Sequence, residues 1–114
     1  MSTPADRLSA IQAIYLDALN NESQDLACAT TPALVAAVQA NVANARSTYY
    51  AAAAAALANN GADVETAYTA AQTALAAVKQ ARTNSAQITT LLGDLNGATG
   101  AASNLLKLAS QGGA

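Results

Sequence analysis

The sequence predicts an all-α protein, a three- to four-helix bundle built around a long antiparallel helical hairpin (about 32–59 and 63–92). An N-terminal helix is expected to pack on this hairpin, and a short C-terminal helix to follow it. Apolar residues recur at spacings of three and four over most of the chain, which is the period of one face of an α-helix. Two Thr-Pro pairs, at positions 3–4 and 31–32, mark helix starts, because threonine caps the first turn and proline suits its first position.

The first helix is expected from Pro4 to about Asn20. Asp6 lies in its first turn, where a negative charge stabilises the positive end of the helix dipole. A break is expected near Asn20-Asn21, and the sequence leaves open whether residues 21–30 are helical. The apolar stripe of this helix is Leu8, Ile11, Tyr15 and Ala18.

The second helix is expected to run through six consecutive alanines, because alanine has the highest helix propensity and nothing breaks the pattern before "NNG". At 1.5 Å per residue, residues 32–59 would span about 42 Å. Gly61 is expected to end this helix as a left-handed C-cap. The predicted buried seam is a heptad series: Val35, Val38, Val42, Ala45, Tyr49, Ala52 and Ala56.

The third helix is expected to start at Asp63 and to continue to about residue 92. Its stripe changes phase near Ser85 by one extra three-residue step, as a stammer in a coiled coil does. "GDLNGATG" is predicted to be a glycine-rich break, "AASNLLKLAS" the short final helix, and 111–114 a flexible tail. All of 1–114 is expected to form a single helical domain. The stripe is Val64, Tyr68, Ala71, Leu75, Val78, Ala81, Ser85, Ile88, Leu92 and Leu95.

The short connection between the two long helices predicts that they run antiparallel and face each other. With the turn near residue 60, Leu75 is expected opposite Arg46, and Tyr68 opposite Ala53. The tyrosines near the hairpin tip would then meet alanines across the seam, which lets two helices approach closely.

Composition favours a protein whose surface is covered by other protein. Charged residues make up 11% of the chain, against about 25% in typical soluble domains. The apolar fraction is 53%, but it consists mainly of alanine, and Leu, Ile and Val together are only about 18%. A surface of alanine and neutral polar groups is poorly protected against association, which suits contact with copies of the chain or with neighbours in an assembly. A plain small bundle from an organism with alanine-rich coding is the alternative.

Charge and hydropathy argue against nucleic-acid and membrane partners. The net charge is −2 and the five basic residues are scattered, so no basic stripe follows a phosphate backbone. Residues 26–45 are uncharged but too polar to span a bilayer, and "MSTPADRLSA" lacks the basic and apolar regions of a signal peptide. The single cysteine, Cys28, implies no internal disulfide. We therefore expect a soluble protein, cytoplasmic or associated with a virion.

No group of residues predicts catalysis, a cofactor site or a metal site. The chain has no histidine, the commonest general base and metal ligand. Asp17, Glu22 and Asp25 lack the spacing of a calcium loop and are interpreted as a solvated acidic face. The basic side chains nearest the seam, Arg46 and Arg82, have no evident acidic partner. We therefore expect no enzymatic activity.

The candidate protein-interface residues are Tyr49, Tyr50, Ala54 and Tyr68. Tyrosine is favoured at interfaces because it combines a large ring with a polar end. Adjacent helical positions point in different directions, so Tyr49 is assigned to the seam and Tyr50 to its edge or to a neighbouring molecule. Ala54 falls outside the seam and would be either bare surface or part of a second close-packing face. Burial of all three tyrosines in the core is the alternative.

Two functions from different classes fit this sequence. The first hypothesis is a non-enzymatic structural protein that forms a homo-oligomer or packs with other proteins into a larger particle, such as a bacteriophage virion. The second is a small helical binding module or inhibitor that docks one helix face on a host protein. Self-association distinguishes them, because the binding module is expected to be a monomer with Tyr50 exposed.

Overall fold

The computed structural model describes residues 1–84 and 87–111. Every regular element in this part of the chain is an α-helix, so the predicted all-α bundle is confirmed. The predicted stripe residue Ser85, and the predicted tail beyond its first residue, lie outside the described residues. The helices are α1 (Pro4–Asn20), α2 (Glu22–Ala27), α3 (Pro32–Ala54), α4 (Ala62–Thr83) and α5 (Ile88–Ser110).

The Thr-Pro pairs start α1 and α3 as predicted. The Thr3 hydroxyl accepts a hydrogen bond from the Asp6 amide at 3.1 Å, and the Asp6 carboxylate accepts one from the Thr3 amide at 2.9 Å. This reciprocal capping satisfies amides that a helix start leaves without partners. The bonds from Thr3, first of all the one from its backbone amide, lower the pKa of Asp6. Thr31 caps α3 by accepting from the Leu34 amide at 3.2 Å.

The chain breaks at Asn21 and then forms one more short helix, α2. Asn21 leaves the helical region with φ −106° and ψ 6°, and its side-chain amide donates to the Asp17 carbonyl at 2.8 Å. The Asn21 backbone amide donates to the same carbonyl at 3.2 Å, so Asn21 closes the last turn of α1 with two hydrogen bonds to Asp17. The expected break near Asn20-Asn21 is confirmed, and the open question about residues 21–30 is answered by a helix over Glu22–Ala27.

α3 ends earlier than predicted, at Ala54 and not near residue 59. Leu57 follows it with the left-handed φ of 51°, whereas Gly61, the predicted left-handed cap, has φ −65° and precedes α4. The helix propensity of alanine is overridden because leaving the helix brings the Leu57 side chain into the core, where it is 2% exposed. Ala56, predicted on the buried seam, is therefore exposed.

The segment 55–61 crosses one end of the bundle and does not form a tight hairpin turn. α3 packs on α1 and α5, and α4 packs on α5 and α1, whereas α3 and α4 are not a closely packed pair. Since α1 and α5 also pack on each other, α3 and α4 lie at opposite corners of a four-helix bundle. The predicted facing positions are accordingly separated: Arg46 contacts Tyr15 of α1, and Leu75 lines a groove beside α1.

The predicted third helix, 63–92, is divided into α4 and α5. α4 ends at Thr83, and α5 begins at Ile88 and packs back along α4 in the most extensive helix pair. The phase change in the stripe therefore marks a chain reversal and not a stammer. The polar run "RTNSAQ", which contains asparagine and serine, is the local signal for that reversal.

α5 continues through "GDLNGATG", contrary to the predicted break, so the predicted short final helix is its second half. A Cβ atom on any of its glycines would meet no atom of a neighbouring helix within 4 Å, so the glycines lie on the open face. Each glycine costs the helix roughly 1 kcal/mol relative to alanine, and burial of the opposite face offsets this cost. The buried residues of α5 are Leu91, Leu92, Leu95, Ala98, Ala102, Leu105 and Ala109.

Val35, predicted on the α3 seam, is half-buried and lies outside the core, whereas the other described seam residues apart from Ala56 form the core or pack against it. The inner faces of α3 and α4 supply mainly valine and alanine, and those of α1 and α5 supply the larger isoleucine and leucine side chains. Such a core is filled with few large side chains, because alanines allow the helix axes to approach closely. The buried seam residues of α3 and α4 are Val38, Val42, Ala45, Ala52, Val64, Ala71, Val78 and Ala81.

Candidate protein interface

Tyr49 and Tyr50 meet Tyr15 of α1 in a cluster of three rings. The Tyr49 ring stacks on Tyr15 with the centroids 5.7 Å apart, and the Tyr50 ring meets Tyr15 edge-on at 6.3 Å. Both arrangements are favourable for aromatic pairs. Tyr49 is half-buried, whereas Tyr50 is 60% exposed. This agrees with the assignment of Tyr49 to the seam and Tyr50 to its edge. The part played by Tyr15 does not follow from the sequence, because it depends on how α1 packs.

Two polar side chains fix the phenol groups of the inner rings. Gln12 Nε2 donates to Tyr49 Oη at 3.3 Å, and Arg46 Nε donates to Tyr15 Oη at 3.3 Å. The guanidinium carbon of Arg46 also lies 5.9 Å from the centroid of the Tyr15 ring, within cation–π range. Because these contacts hold the inner rings from within the chain, Tyr50 is the ring that the cluster presents to solvent.

Tyr68 does not belong to this cluster. It lies half-buried on α4, where it lines the groove between α4 and α1. Its hydroxyl accepts a hydrogen bond from Gln72 Nε2 at 3.1 Å. Since α3 and α4 occupy opposite corners of the bundle, the structure separates Tyr68 from the two tyrosines of α3.

Ala54 is the last residue of α3 and belongs to a continuous outward series of side chains. Exposed residues recur at spacings of three and four along the whole helix, on the side opposite its buried seam. None of them is charged, and all except one tyrosine are alanine or serine. At 1.5 Å per residue the series extends about 32 Å. We call it the outer stripe, and it consists of Ala33, Ala36, Ala40, Ala43, Ser47, Tyr50 and Ala54.

Arg82 has two acidic partners, contrary to the expectation from sequence. Its Nε and Nη2 donate to the two carboxylate oxygens of Asp25 at 3.1 and 2.9 Å, and its Nη1 donates to Asp17 at 2.6 Å. The side chains of Arg82 and Asp17 are each 10% exposed, and that of Asp25 is 3% exposed. Asp17 and Asp25 are therefore not a solvated acidic face, and they tie α1 and α2 to α4.

Burial acts on Arg82 in the opposite direction to its partners. Loss of water around the guanidinium by itself lowers the pKa of Arg82, but the hydrogen bonds and charges of Asp25 and Asp17 together raise it above the ordinary value. The guanidinium is therefore held in its charged form, and it matches both the charge and the geometry of the two carboxylates.

A second buried arginine, Arg7, lies at the other end of α1 and holds the crossing segment in place. Its side chain is fully buried, with Nη1 donating to the Leu57 carbonyl and Nη2 to the Ser2 carbonyl and Asn60 Oδ1, each at 2.8 Å. Arg7 Nη2 also lies 3.5 Å from Glu65 Oε2. The Ser2 hydroxyl and amide donate to Glu65, and these bonds lower the pKa of Glu65.

A groove of about 360 Å³ lies between α1 and α4. Ala71 forms its buried floor, with the half-buried side chains of Ala13 and Leu75 beside it. Two exposed residues of opposite charge, Asp6 and Lys79, lie on its rim. The groove is thus apolar at its base and polar at its edges, as ligand sites between helices often are.

The acidic and thiol side chains do not form a metal centre in the described part of the chain. Among the described residues, no group of three or more Cys, Asp or Glu side chains is placed to hold a metal ion. Asp17 and Asp25 are engaged by Arg82, and Cys28 is exposed at the end of α2. The described side chains thus present packing surfaces and buried ion pairs.

Within residues 1–84 and 87–111, no helix is both long enough and apolar enough to cross a bilayer. Comparison of the chain with protein-family models, with curated proteins and with solved structures finds no match.

Proposed function

We propose that this chain is a non-enzymatic structural protein that associates with copies of itself through the outer stripe of α3. The outer stripe is the observation that supports this proposal. Its spacing of three and four is that of a helix that packs along its full length against another helix. Its small side chains would let two helices approach to the short end of the usual 8–10 Å separation.

A two-fold axis near Ala43 would pair two outer stripes in antiparallel orientation. Such an axis makes the interface self-complementary, as in most homodimers. Tyr50 of one copy would then pack against Ala36 and Ala40 of the other, so a large ring would fill a surface of small residues. An exposed tyrosine in such a position is a typical interface anchor. Because the outer stripe carries no charge, burying it removes no charged group from water.

The composition of the whole chain supports the same proposal. With only 11% charged residues, little of the surface opposes association. The same face would serve equally for packing beside other proteins in a larger particle, and a bacteriophage virion is one such particle. The absence of histidine from the chain and the engagement of Asp17 and Asp25 by Arg82 support a role without catalysis.

Sedimentation equilibrium over a range of protein concentrations tests this proposal. The wild-type chain should associate, and Ala43→Lys should be monomeric because it places two like charges beside the two-fold axis. Ala54→Lys should weaken association less, because Ala54 lies at the end of the stripe. The matched control is Ala77→Lys, an exposed alanine of α4, which should associate like the wild type. A wild-type chain that stays monomeric at high concentration would contradict self-association.

The second candidate function is a helical binding module that docks on a host protein, and the 60% exposure of Tyr50 favours it. In that case the chain should be monomeric at all concentrations. Tyr50→Ala should then weaken binding to the partner while leaving the melting temperature nearly unchanged. Association that is lost in Ala43→Lys would favour the structural role instead.

A further inference from the structure

The groove between α1 and α4 lies between two links that join these helices. At one end the Ser2 amide and hydroxyl donate to Glu65, and at the other Arg82 Nη1 donates to Asp17 at 2.6 Å. Because residues 2 and 17 at the two ends of α1 pair with residues 65 and 82 of α4, the two helices run parallel. At 1.5 Å per residue, these two links are roughly 22 Å apart.

Alanines leave the space between the two links unfilled. Ala10 and Ala13 of α1 and Ala71 of α4 line the groove, and Leu75 is a large apolar side chain of its wall. The floor residue Ala71 is fully buried, whereas Ala10, Ala13 and Leu75 are half-buried. A volume of about 360 Å³ falls within the range of small-molecule sites. The space is therefore apolar, elongated and limited in length.

The two rim charges give the groove a direction. Lys79 lies nearer the Arg82 end of α4, and Asp6 lies nearer the Ser2 end of α1, where its carboxylate accepts from the Thr3 amide. At the Asp6 end, the Tyr68 hydroxyl accepts from Gln72 Nε2 at 3.1 Å, and the apolar wall ends at this hydroxyl. Lys79 and Tyr68 are separated along α4 by roughly 16 Å at 1.5 Å per residue.

We propose that this groove binds a linear amphiphile that carries one carboxylate, a medium-chain fatty acid in chemical class. The carboxylate lies against Lys79, and the alkyl chain runs over Ala13, Ala71 and Leu75 toward Tyr68. Asp6 disfavours a second carboxylate at the far end of the ligand, because like charges repel there. This site is separate from the outer stripe, and the inference does not rest on self-association.

The volume of the groove favours a small ligand over a docked helix. A helix with side chains is about 10–12 Å across, so a single turn takes up roughly 400 Å³ or more, which exceeds the groove's volume of about 360 Å³. A single alkyl chain fits along the groove between the Ser2–Glu65 and Asp17–Arg82 links without breaking either of them. Burial of its methylenes on the alanine floor supplies the main attraction.

Titration of the ¹⁵N-labelled full chain with decanoate, below its micelle concentration, tests the proposal. Amide shifts should move at Ala10, Ala13, Ala71 and Leu75 and saturate with a single dissociation constant. Decanol lacks the carboxylate that pairs with Lys79, and decanedioate brings a second carboxylate toward Asp6. Each of these matched probes should bind about threefold more weakly, which is the size of effect that one exposed charge pair brings. Equal binding of all three probes, or shifts spread over the whole surface, would overturn the assignment.

Variants distinguish binding in the groove from nonspecific adsorption to the protein surface. Lys79→Met should bind decanoate no better than decanol, whereas the exposed Lys107→Met on α5 should behave like the wild type. Ala13→Leu should weaken decanoate at least tenfold by filling the groove. Should Ala13→Leu lose its helical circular dichroism, the exposed Ala76→Leu on the opposite rim makes the same test. Undiminished binding in a folded groove-filling variant would refute the site.

Discussion

Each end of the bundle contains a buried arginine, but the two arginines have different kinds of partner. Arg82 donates to the carboxylates of Asp17 and Asp25, and these form a nearly buried ion triad. Arg7 is more deeply buried, and it donates to neutral oxygens of Ser2, Leu57 and Asn60. Its nearest carboxylate, Glu65, is 3.5 Å away and 28% exposed.

The difference separates two structural roles. Arg82 joins α1, α2 and α4 through side-chain carboxylates, and it acts mainly by neutralising two nearly buried negative charges. Arg7 supplies donors to a segment that has left the helix, where the Leu57 carbonyl has lost its helical partner. A buried carbonyl needs such a donor, so Arg7 makes the crossing segment energetically acceptable. The two ends should therefore respond differently to substitution.

Arg82→Met should destabilise the bundle more than a substitution at any other position in the two arginine clusters. It leaves two buried carboxylates side by side without a cation, which should cost about 4 kcal/mol in the free energy of unfolding. Urea denaturation measures the loss, and the loss should be smaller in an Asp25→Asn background, where one of the two charges is already gone. Lys107→Met is the control, since Lys107 is exposed and its substitution should change stability far less. A loss that is equal in the wild-type and Asp25→Asn backgrounds would contradict the ion-triad interpretation.

Arg7→Met should cost somewhat less, about 3 kcal/mol, because it strands neutral acceptors and not buried charges. The loss should be the same in the Asp25→Asn background as in the wild type, in contrast to that of Arg82→Met. Denaturant titrations of both variants in the two backgrounds make the comparison. Arg7→Lys is the informative companion, since its single nitrogen cannot reach all of the separate acceptors and should restore stability only in part. A dependence on Asp25 like that of Arg82→Met would remove the distinction between the two ends.

Glu65→Gln tests the charged component of the Arg7 end. The pKa of Glu65 is lowered from its ordinary value of 4.5, first by the Ser2 hydroxyl and then by the Ser2 amide. A lowered pKa means that the ionised carboxylate stabilises the folded chain at neutral pH and that this contribution is lost as the pH falls through the folded value. The variant should therefore melt at a lower temperature than the wild type at pH 7, with the gap closing below the ordinary pKa of 4.5. A gap that widens in acid would show that the sign is wrong.

Gly97→Ala should have the smallest effect on stability, and this effect should be the same in the wild type, in Arg82→Met and in Arg7→Met. A Cβ atom at Gly97 meets no neighbouring helix within 4 Å, so the change should stabilise α5 by about 0.8 kcal/mol through helix propensity alone. The gain should add to the losses in Arg82→Met and in Arg7→Met, because Gly97 is outside both clusters. Thermal unfolding of the two double variants checks this additivity. A gain in stability that is seen with only one of the arginine substitutions would show that α5 is coupled to that arginine's end of the bundle.

Local sequence signals account for the helix starts and the buried seams. The Thr-Pro pairs and the spacing of apolar residues act within a few residues, so they predict α1, the start of α3 and most of the core. The end of α3 depends instead on a contact between Arg7 and Leu57, which are 50 residues apart. The high helix propensity of alanine predicts that the helix continues past this end. The helix through the glycines of α5 is also decided by tertiary burial, which local propensity does not contain.

The candidate interface is predictable from the sequence to a similar extent. The sequence assigns Tyr50 to the edge of the seam beside Tyr49 but leaves its burial open, and Ala54 falls outside the seam by its heptad position. The remaining members of the outer stripe share the spacing of the seam but in the opposite phase, so the pattern is present in the sequence. The partners of Arg82 are not predictable, because Asp17 and Asp25 lie 65 and 57 residues away along the chain.

The diagonal placement of α3 and α4 also determines the order in which the chain acquires its contacts. Neither helix completes its buried face by packing on the other, and both pack on α5, which follows them in the chain. During synthesis, α3 and α4 therefore leave the ribosome before the helix that covers much of their apolar surface. The links from Ser2 to Glu65 and from Asn59 to Leu108, 63 and 49 residues apart, add to the average sequence separation of the contacts. Such separation slows folding relative to a bundle of consecutive hairpins.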